Sequence, residues 1–259
     1  MDMIRAGYGD IIGKYSSLND WKLANLINGE YLCQPIVDLV TEVTDSIRDS
    51  VDAIVAREAD AIALLMKALV LIGMTLSLVG STRPGSGSEH HLSHFFEVTG
   101  LVHNKPRFIH GTDVAYASIL VAGMRQQICA QQTPQFCCES AEERLAAWNR
   151  IYGNVSPEVQ ALQAQAGAYA RNRETEYAAK WPQILEILGS CPTAQEFRQM
   201  MEAVGFNMDA FEAMYGSEKI CDAMLYGKDL KDRYSFLWIY YLLFSGKKEE
   251  VTWIPFLQN

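Results

Sequence analysis

Pro35-Ile36-Val37-Asp38-Leu39-Val40-Thr41-Glu42-Val43-Thr44-Asp45-Ser46-Ile47 sets the fold class. Its apolar side chains fall at 36, 37, 39, 40, 43 and 47, a stripe returning every three or four residues, which is the period of an amphipathic helix. Pro35 suits the first turn, where its missing N–H costs nothing. The same spacing extends outward in both directions. Upstream, Ile11, Ile12, Tyr15, Leu18, Leu23 and Leu26 predict a helix over 10–27 that starts after Gly7-Tyr8-Gly9. Downstream, a helix is expected over 56–79, then a break at 81–87, where Pro84, Gly85 and Gly87 cannot continue it. Ser88 is placed to cap a helix running through Phe96. Further helices are expected over 111–131, 141–152, 157–188 (interrupted by Pro182), 194–204, 217–226 and 230–244. No alternating strand, βαβ pattern or GxGxxG occurs. The chain is therefore predicted to be all-α, a multi-helix bundle of roughly nine or ten helices.

The 259 residues carry 22 Lys and Arg against 31 Asp and Glu, for a net charge of -9. That balance argues against a nucleic-acid partner, which needs clustered cations. The densest basic pair, Lys247-Lys248, runs straight into Glu249-Glu250. Met1-Asp2-Met3-Ile4-Arg5 has no basic-then-apolar signal pattern. The most apolar stretch, 61–79, contains Lys67 and is expected to be a buried helix rather than a membrane span. A cytoplasmic protein is expected. Six cysteines show neither zinc-cage nor CxxC spacing and are expected to be reduced thiols.

All five histidines lie between 90 and 110. His90 and His94 are four apart and share a helix face. His91 lies about a quarter-turn away and is expected to pack internally. His110 follows a loop and can fold back toward His90, and His103 is expected at the surface. Neutral imidazoles suit first-row divalent ions, and two with one carboxylate leave a coordination position open for catalysis. A pair at this spacing also serves as a cap or a half-exposed surface pair. The loop 83–89 delivers a helix N-terminus, a candidate for binding phosphate or a carbonyl oxygen, and equally an ordinary connection.

Three segments carry a family resemblance: Ala6-Gly7-Tyr8-Gly9-Asp10-Ile11-Ile12-Gly13-Lys14-Tyr15 with Asp20-Trp21-Lys22; Ser81-Thr82-Arg83-Pro84-Gly85-Ser86-Gly87-Ser88-Glu89-His90 with His94; and His110-Gly111. A weaker fourth is Leu230-Lys231-Asp232-Arg233-Tyr234. In this order they resemble the glycerol-1-phosphate dehydrogenase branch of the iron-alcohol-dehydrogenase and dehydroquinate-synthase superfamily. The resemblance implies the helical C-terminal domain of that family, with Asp10, His90 and His110 as ligands of a divalent metal (Zn, Ni or Fe). It implies that His94 contacts substrate beside Asp10 and acts in catalysis, and that Lys14 faces the same site as a second catalytic candidate. It implies reduction of dihydroxyacetone phosphate to sn-glycerol 1-phosphate with NAD(P)H, so the partner is a small phosphorylated ketone or alcohol. Gly111-Thr112-Asp113 departs from the family's usual Gly-Glu, and Gly85 stands where Ala is usual.

Family members begin with a nucleotide-binding α/β domain of roughly 150 residues, about one ordinary domain. This chain starts close to Asp10, and residues 1–259 are expected to be a single metal-binding catalytic domain without that partner. The NAD(P) site is then expected in a domain outside these residues, and activity is expected to need it. Homo-oligomers are common in the family. The competing readings are a non-catalytic or split-subunit helical metal-binding module, and a dehydroquinate-synthase-like lyase, whose motif has Glu where Asp10 stands.

Overall fold

A computed structural model describes residues 1–257, and every regular element in them is helical. The α-helices are α1 (Asp2–Ile12), α2 (Lys14–Asn28), α3 (Gln34–Asp49), α4 (Val51–Val55), α5 (Ala59–Val79), α6 (Ser88–Val102), α7 (His110–Cys129) and α8 (Ala141–Tyr152). They continue as α9 (Ser156–Ala166), α10 (Glu174–Ala179), α11 (Trp181–Gly189), α12 (Ala194–Ala203), α13 (Asp209–Tyr215), α14 (Ser217–Tyr226), α15 (Leu237–Phe244) and α16 (Ile254–Leu257). Among the described residues there is no strand, so the all-α expectation holds.

The core is built around α7. Every residue from 113 to 125 is buried, as expected of a helix whose apolar side chains run all the way round. Helices α1, α6, α11 and α12 pack directly against it. The contact with α1 is close because glycines line it. A Cβ on Gly111 would lie 2.2 Å from the Ala6 carbonyl oxygen, and one on Gly9 would lie 2.6 Å from Ala115 Cβ. Ordinary carbon contacts are about 3.5–4.0 Å, so neither position has room for a side chain. This corrects the expected helix start after Gly9: Gly7 and Gly9 lie inside α1, and the predicted helix 10–27 is two helices meeting at Gly13.

Other boundaries also differ. The helix predicted over 56–79 begins at Ala59, because Arg57 takes a positive φ of 60°. The stretch 157–188 is three helices rather than two. The helix predicted from 230 begins at Leu237, preceded by a 3-10 turn, Gly227–Leu230. That turn is pinned by the buried Lys228. Its ammonium donates to Asp229 Oδ1 at 3.0 Å and Tyr169 Oη at 2.7 Å, and lies 3.7 Å from the Tyr241 ring centroid.

Helix α5 departs from the expectation of burial. Ala61, Leu65, Ala68, Ile72 and Thr75 face the protein, while Met66, Val70, Met74 and Leu78 are exposed. By length and composition α5 could cross a membrane. All six cysteines are free thiols, as expected.

Candidate metal and substrate site

Three helices bring the predicted ligands together. Asp10 sits near the end of α1, His90 in the first turn of α6, and His110 at the first position of α7. The Gly9–Gly111 approach sets Asp10 beside His110. The Asp10 Oδ1 atom is 3.3 Å from His90 Nε2 and 4.0 Å from His110 Nε2, and the two imidazole centroids are 5.0 Å apart. One ligand atom from each residue lies within 4.8 Å of the others, close enough to surround one ion.

Each imidazole is backed by a carboxylate that the sequence reading did not single out. His90 Nδ1 is 2.7 Å from Glu89 Oε1, and His110 Nδ1 is 2.8 Å from Glu97 Oε1. Burial opposes ionisation of Glu89, but its hydrogen bond with His90 and the charges of His90 and Lys14 outweigh it and lower its pKa. The hydrogen bond with His110 lowers that of Glu97. Ionised carboxylates only accept, so both Nδ1 atoms donate and both Nε2 lone pairs remain for a cation on the Asp10 side. This carboxylate–histidine arrangement fixes ring tautomer and orientation around metal ions. Ser93 Oγ, 3.3 Å from His110 Nδ1, adds a further contact. The spacing His90, His94, Glu97 runs along one face of α6, a signal that could have found Glu97.

Lys14, predicted to face the site, reaches Asp10 Oδ2 at 3.2 Å and donates to the Gly85 carbonyl at 2.8 Å. It holds one carboxylate oxygen and leaves the other toward the imidazoles. Burial alone would raise the Asp10 pKa, yet the Lys14 ammonium and His90 together hold it well below the usual carboxylate range. His94 is 6.0 Å from the His90 ring and 5.5 Å from the His110 ring, centroid to centroid. Burial, then the Lys231 ammonium, pushes its pKa down to about 4. With Glu97 and His110 it forms a second trio of suitable spacing.

The two remaining histidines stand apart from this cluster. His91 is fully buried, and neither ring nitrogen has a hydrogen-bond partner. His103 is exposed and hydrogen-bonds the Ile151 carbonyl at 2.8 Å.

The loop before His90 does not offer a free helix N-terminus. Gly87 N–H donates to Glu89 Oε1 at 2.8 Å, and Ser88 N–H donates to Asp20 Oδ2 at 2.6 Å. Asp20, rather than the Ser88 side chain, therefore caps α6, and its other oxygen accepts from Phe236 N–H at 2.9 Å. Cations gather instead beside Ser86: Lys231 Nζ at 3.3 Å and an Arg233 guanidinium nitrogen at 3.2 Å from its Oγ. They line a cleft of about 400 Å3 with Ser81, Thr82 and Arg83. Arg83 is neutralised by Glu30, whereas Lys231 and Arg233 make no ion pair with a carboxylate among the described residues. In the sequence, Lys231 and Arg233 stand out only as part of the weak fourth segment.

A carboxylate and two imidazoles, each ring backed by its own acid and set in an all-helical domain, make a centre of the kind that holds a catalytic divalent ion. No family model matches the chain. Curated relatives do. A glycerol-1-phosphate dehydrogenase (NAD(P)+) of Bacillus licheniformis is 27% identical over 236 residues, 91% of this chain and 48% of that protein. A protein of the same name from Halalkalibacterium halodurans is 24% identical over 236 residues, 91% of this chain and 52% of its own length. One from Bacillus subtilis is 31% identical over 119 residues, 46% of this chain and 30% of that protein. The chain is thus a homologue of the glycerol-1-phosphate dehydrogenases over about nine-tenths of its length, and its all-helical architecture fits the C-terminal domain of that family. It spans about half the length of the curated relatives it matches.

Proposed function

We propose that this chain is the metal-holding and substrate-binding part of an NAD(P)-dependent glycerol-1-phosphate dehydrogenase. The observation that carries the reading is the convergence of Asp10 Oδ1 with the Nε2 atoms of His90 and His110, each ring oriented by its own carboxylate. Asp10, His90 and His110 would hold a divalent ion of Zn, Ni or Fe character, which supplies Lewis acidity to a carbonyl.

The other residues bind and orient substrate. Lys231 and Arg233, with the Ser86 hydroxyl, form a cationic cradle in which neither cation makes an ion pair among the described residues, suited to the phosphate of dihydroxyacetone phosphate. Burial and the neighbouring Arg233 lower the Lys231 pKa to about 8, which still leaves it mostly charged at neutral pH. His94 is close to the metal trio, and the Lys231 charge reaches it strongly enough to lower its pKa. A neutral imidazole at pH 7, it can donate one N–H to a substrate hydroxyl and accept at its other nitrogen. Lys14 holds Asp10 in place. The described residues contain no parallel sheet to receive a dinucleotide, so NAD(P) would be positioned by a second domain.

The test measures zinc content and NAD(P)H oxidation with dihydroxyacetone phosphate. It compares the 259-residue chain with the same chain linked to the half of the Bacillus licheniformis relative that the alignment leaves unmatched. One ion per chain and activity only in the linked protein are expected, with both lost in Asp10→Ala. Turnover by the 259 residues alone, or full activity in linked Asp10→Ala, would overturn the reading.

A further inference from the structure

Lys231 and Arg233 carry like charge, yet both reach the Ser86 hydroxyl, at 3.3 and 3.2 Å. Two cations turned toward one atom repel each other, and each gains hydration by turning away into solvent. Something must hold them on the same spot. Regular structure does not. Residues 231–234 lie between the 3-10 turn and α15. Among the described residues their only backbone–backbone hydrogen bond is a long one, from Lys231 N–H to the Lys228 carbonyl at 3.5 Å.

Two side chains from distant parts of the chain bracket this segment instead. Gln163 Nε2 donates to the Lys231 carbonyl at 3.1 Å and to the Asp229 carbonyl at 2.9 Å. At the other end, Arg83 Nη1 donates to the Tyr234 carbonyl at 2.7 Å. Arg83 also lines the cleft, so replacing it changes the charge there. Gln163 is different. It is a neutral side chain of α9, 3% exposed, and does not line the cleft. Both of its neighbours are carbonyl acceptors, so the amide nitrogen faces them and both of its N–H donors are used.

We propose that Gln163 is a positioning residue for phosphate binding. By holding the Asp229 and Lys231 carbonyls, it fixes the backbone from which the Lys231 and Arg233 side chains meet at Ser86. The cations are then preset for a phosphate group. Without the clamp they relax toward water, and an arriving phosphate must draw them together again at a cost in affinity. Gln163 touches neither substrate nor metal. The inference rests on the reading of this cleft as the place of the substrate phosphate.

The test is calorimetric titration of the zinc-loaded intact chain with dihydroxyacetone phosphate, in wild type, Gln163→Leu and Lys231→Met. Leu removes both donors and adds no charge. Wild type should bind with Kd below about 1 mM. Lys231→Met should bind more than about tenfold more weakly, and Gln163→Leu about tenfold more weakly. Zinc affinity, from competition with a chelator, should stay within about twofold of wild type in both variants. In the protein linked to its cofactor-binding half, Gln163→Leu should raise KM for dihydroxyacetone phosphate about tenfold and leave kcat, and KM for unphosphorylated dihydroxyacetone, within about twofold. General loosening of the fold would move all of these together. Circular dichroism shows whether each variant is folded, and if Gln163→Leu is not, Gln163→Met carries the test. Wild-type affinity in folded Gln163→Leu beside a loss in Lys231→Met would overturn the positioning role alone. A weakened zinc site, or an equal loss for dihydroxyacetone, would overturn it in favour of a structural role. No binding by wild type up to about 10 mM, or unchanged binding in Lys231→Met, would overturn the reading of the cleft and the positioning role with it.

Discussion

Replacing Glu97 by Gln separates the tuning of a metal ligand from its presence. Glu97 Oε1 accepts from His110 Nδ1 at 2.8 Å, and His110 is the most exposed of the three proposed ligands, with 42% of its side chain open to solvent. An exposed ring depends on its partner for orientation, and the anion opposite Nδ1 makes Nε2 a stronger donor to a cation. Gln retains one carbonyl acceptor and loses the charge. Loss of such a partner costs metal affinity about 10- to 100-fold. Glu97 is itself 28% exposed, which places this change near tenfold, about 1.4 kcal/mol. Glu89→Gln should fall nearer the upper limit, because Glu89 is wholly buried and also holds the Gly87 N–H. The assay is competition with a chromophoric zinc chelator at about pH 8, above the ordinary histidine range. The choice of pH matters. Glu97 raises the His110 pKa, so removing it also relieves proton competition, and near pH 6–7 that relief would mask part of the loss. An affinity within about twofold of wild type would refute the tuning argument. If Glu97→Gln abolished binding while Asp10→Asn did not, the ion would sit in the His94, Glu97 and His110 trio instead.

Two stability experiments probe the frame around the site. Gly111→Ala puts a methyl group 2.2 Å from the Ala6 carbonyl and must push α1 away from α7. It should lower stability by about 1–3 kcal/mol or more and weaken zinc binding with it, whereas Gly73→Ala, in open space on α5, should raise stability by about 0.5–1 kcal/mol; thermal melts that rank them the other way would show that the close approach is not needed. Burial, opposed in part by the Tyr215 hydrogen bond, raises the Asp113 pKa from 3.8 to about 7. The folded state therefore holds that proton more tightly than the unfolded chain, and ionisation erodes stability as pH rises from about 4 to about 7, then levels off. Asp113→Asn should remove this slope and gain about 1–3 kcal/mol at pH 8 relative to pH 4; unchanged urea midpoints across that range would refute it.

The uneven legibility of the sequence has a physical source. Helix period is written locally, so the long helices could be read from apolar spacing at 36, 37, 40, 43 and 47 or across 111–131. Where helices stop depends on what they meet. Nothing local says that Gly7 and Gly9 lie inside α1 rather than before it, because Gly9 meets the backbone of α7 at Gly111 and Gly7 faces Leu65 and Leu69 of α5, all distant in the chain. The same distinction divides the candidate site. Asp10, His90 and His110 could be proposed from a motif resemblance and a crowding of histidines. The partners that decide what those residues can do were hidden by ordinary residue types: Glu89 and Glu97 read as surface acids of a helix, Asp20 as part of a motif fragment. Each acquires its role from a neighbour 1, 13 and 68 residues away, respectively. The anion site shows the cost of reading one segment alone. A glycine-rich loop opening a helix suggests free N–H groups, but Glu89 and Asp20 already accept from Gly87 and Ser88, so under the proposed function a substrate's negative charge would be met elsewhere. In that reading the charge falls to Lys231 and Arg233, which make no ion pair among the described residues and are carried to Ser86 by a turn anchored on the buried Lys228–Asp229 pair.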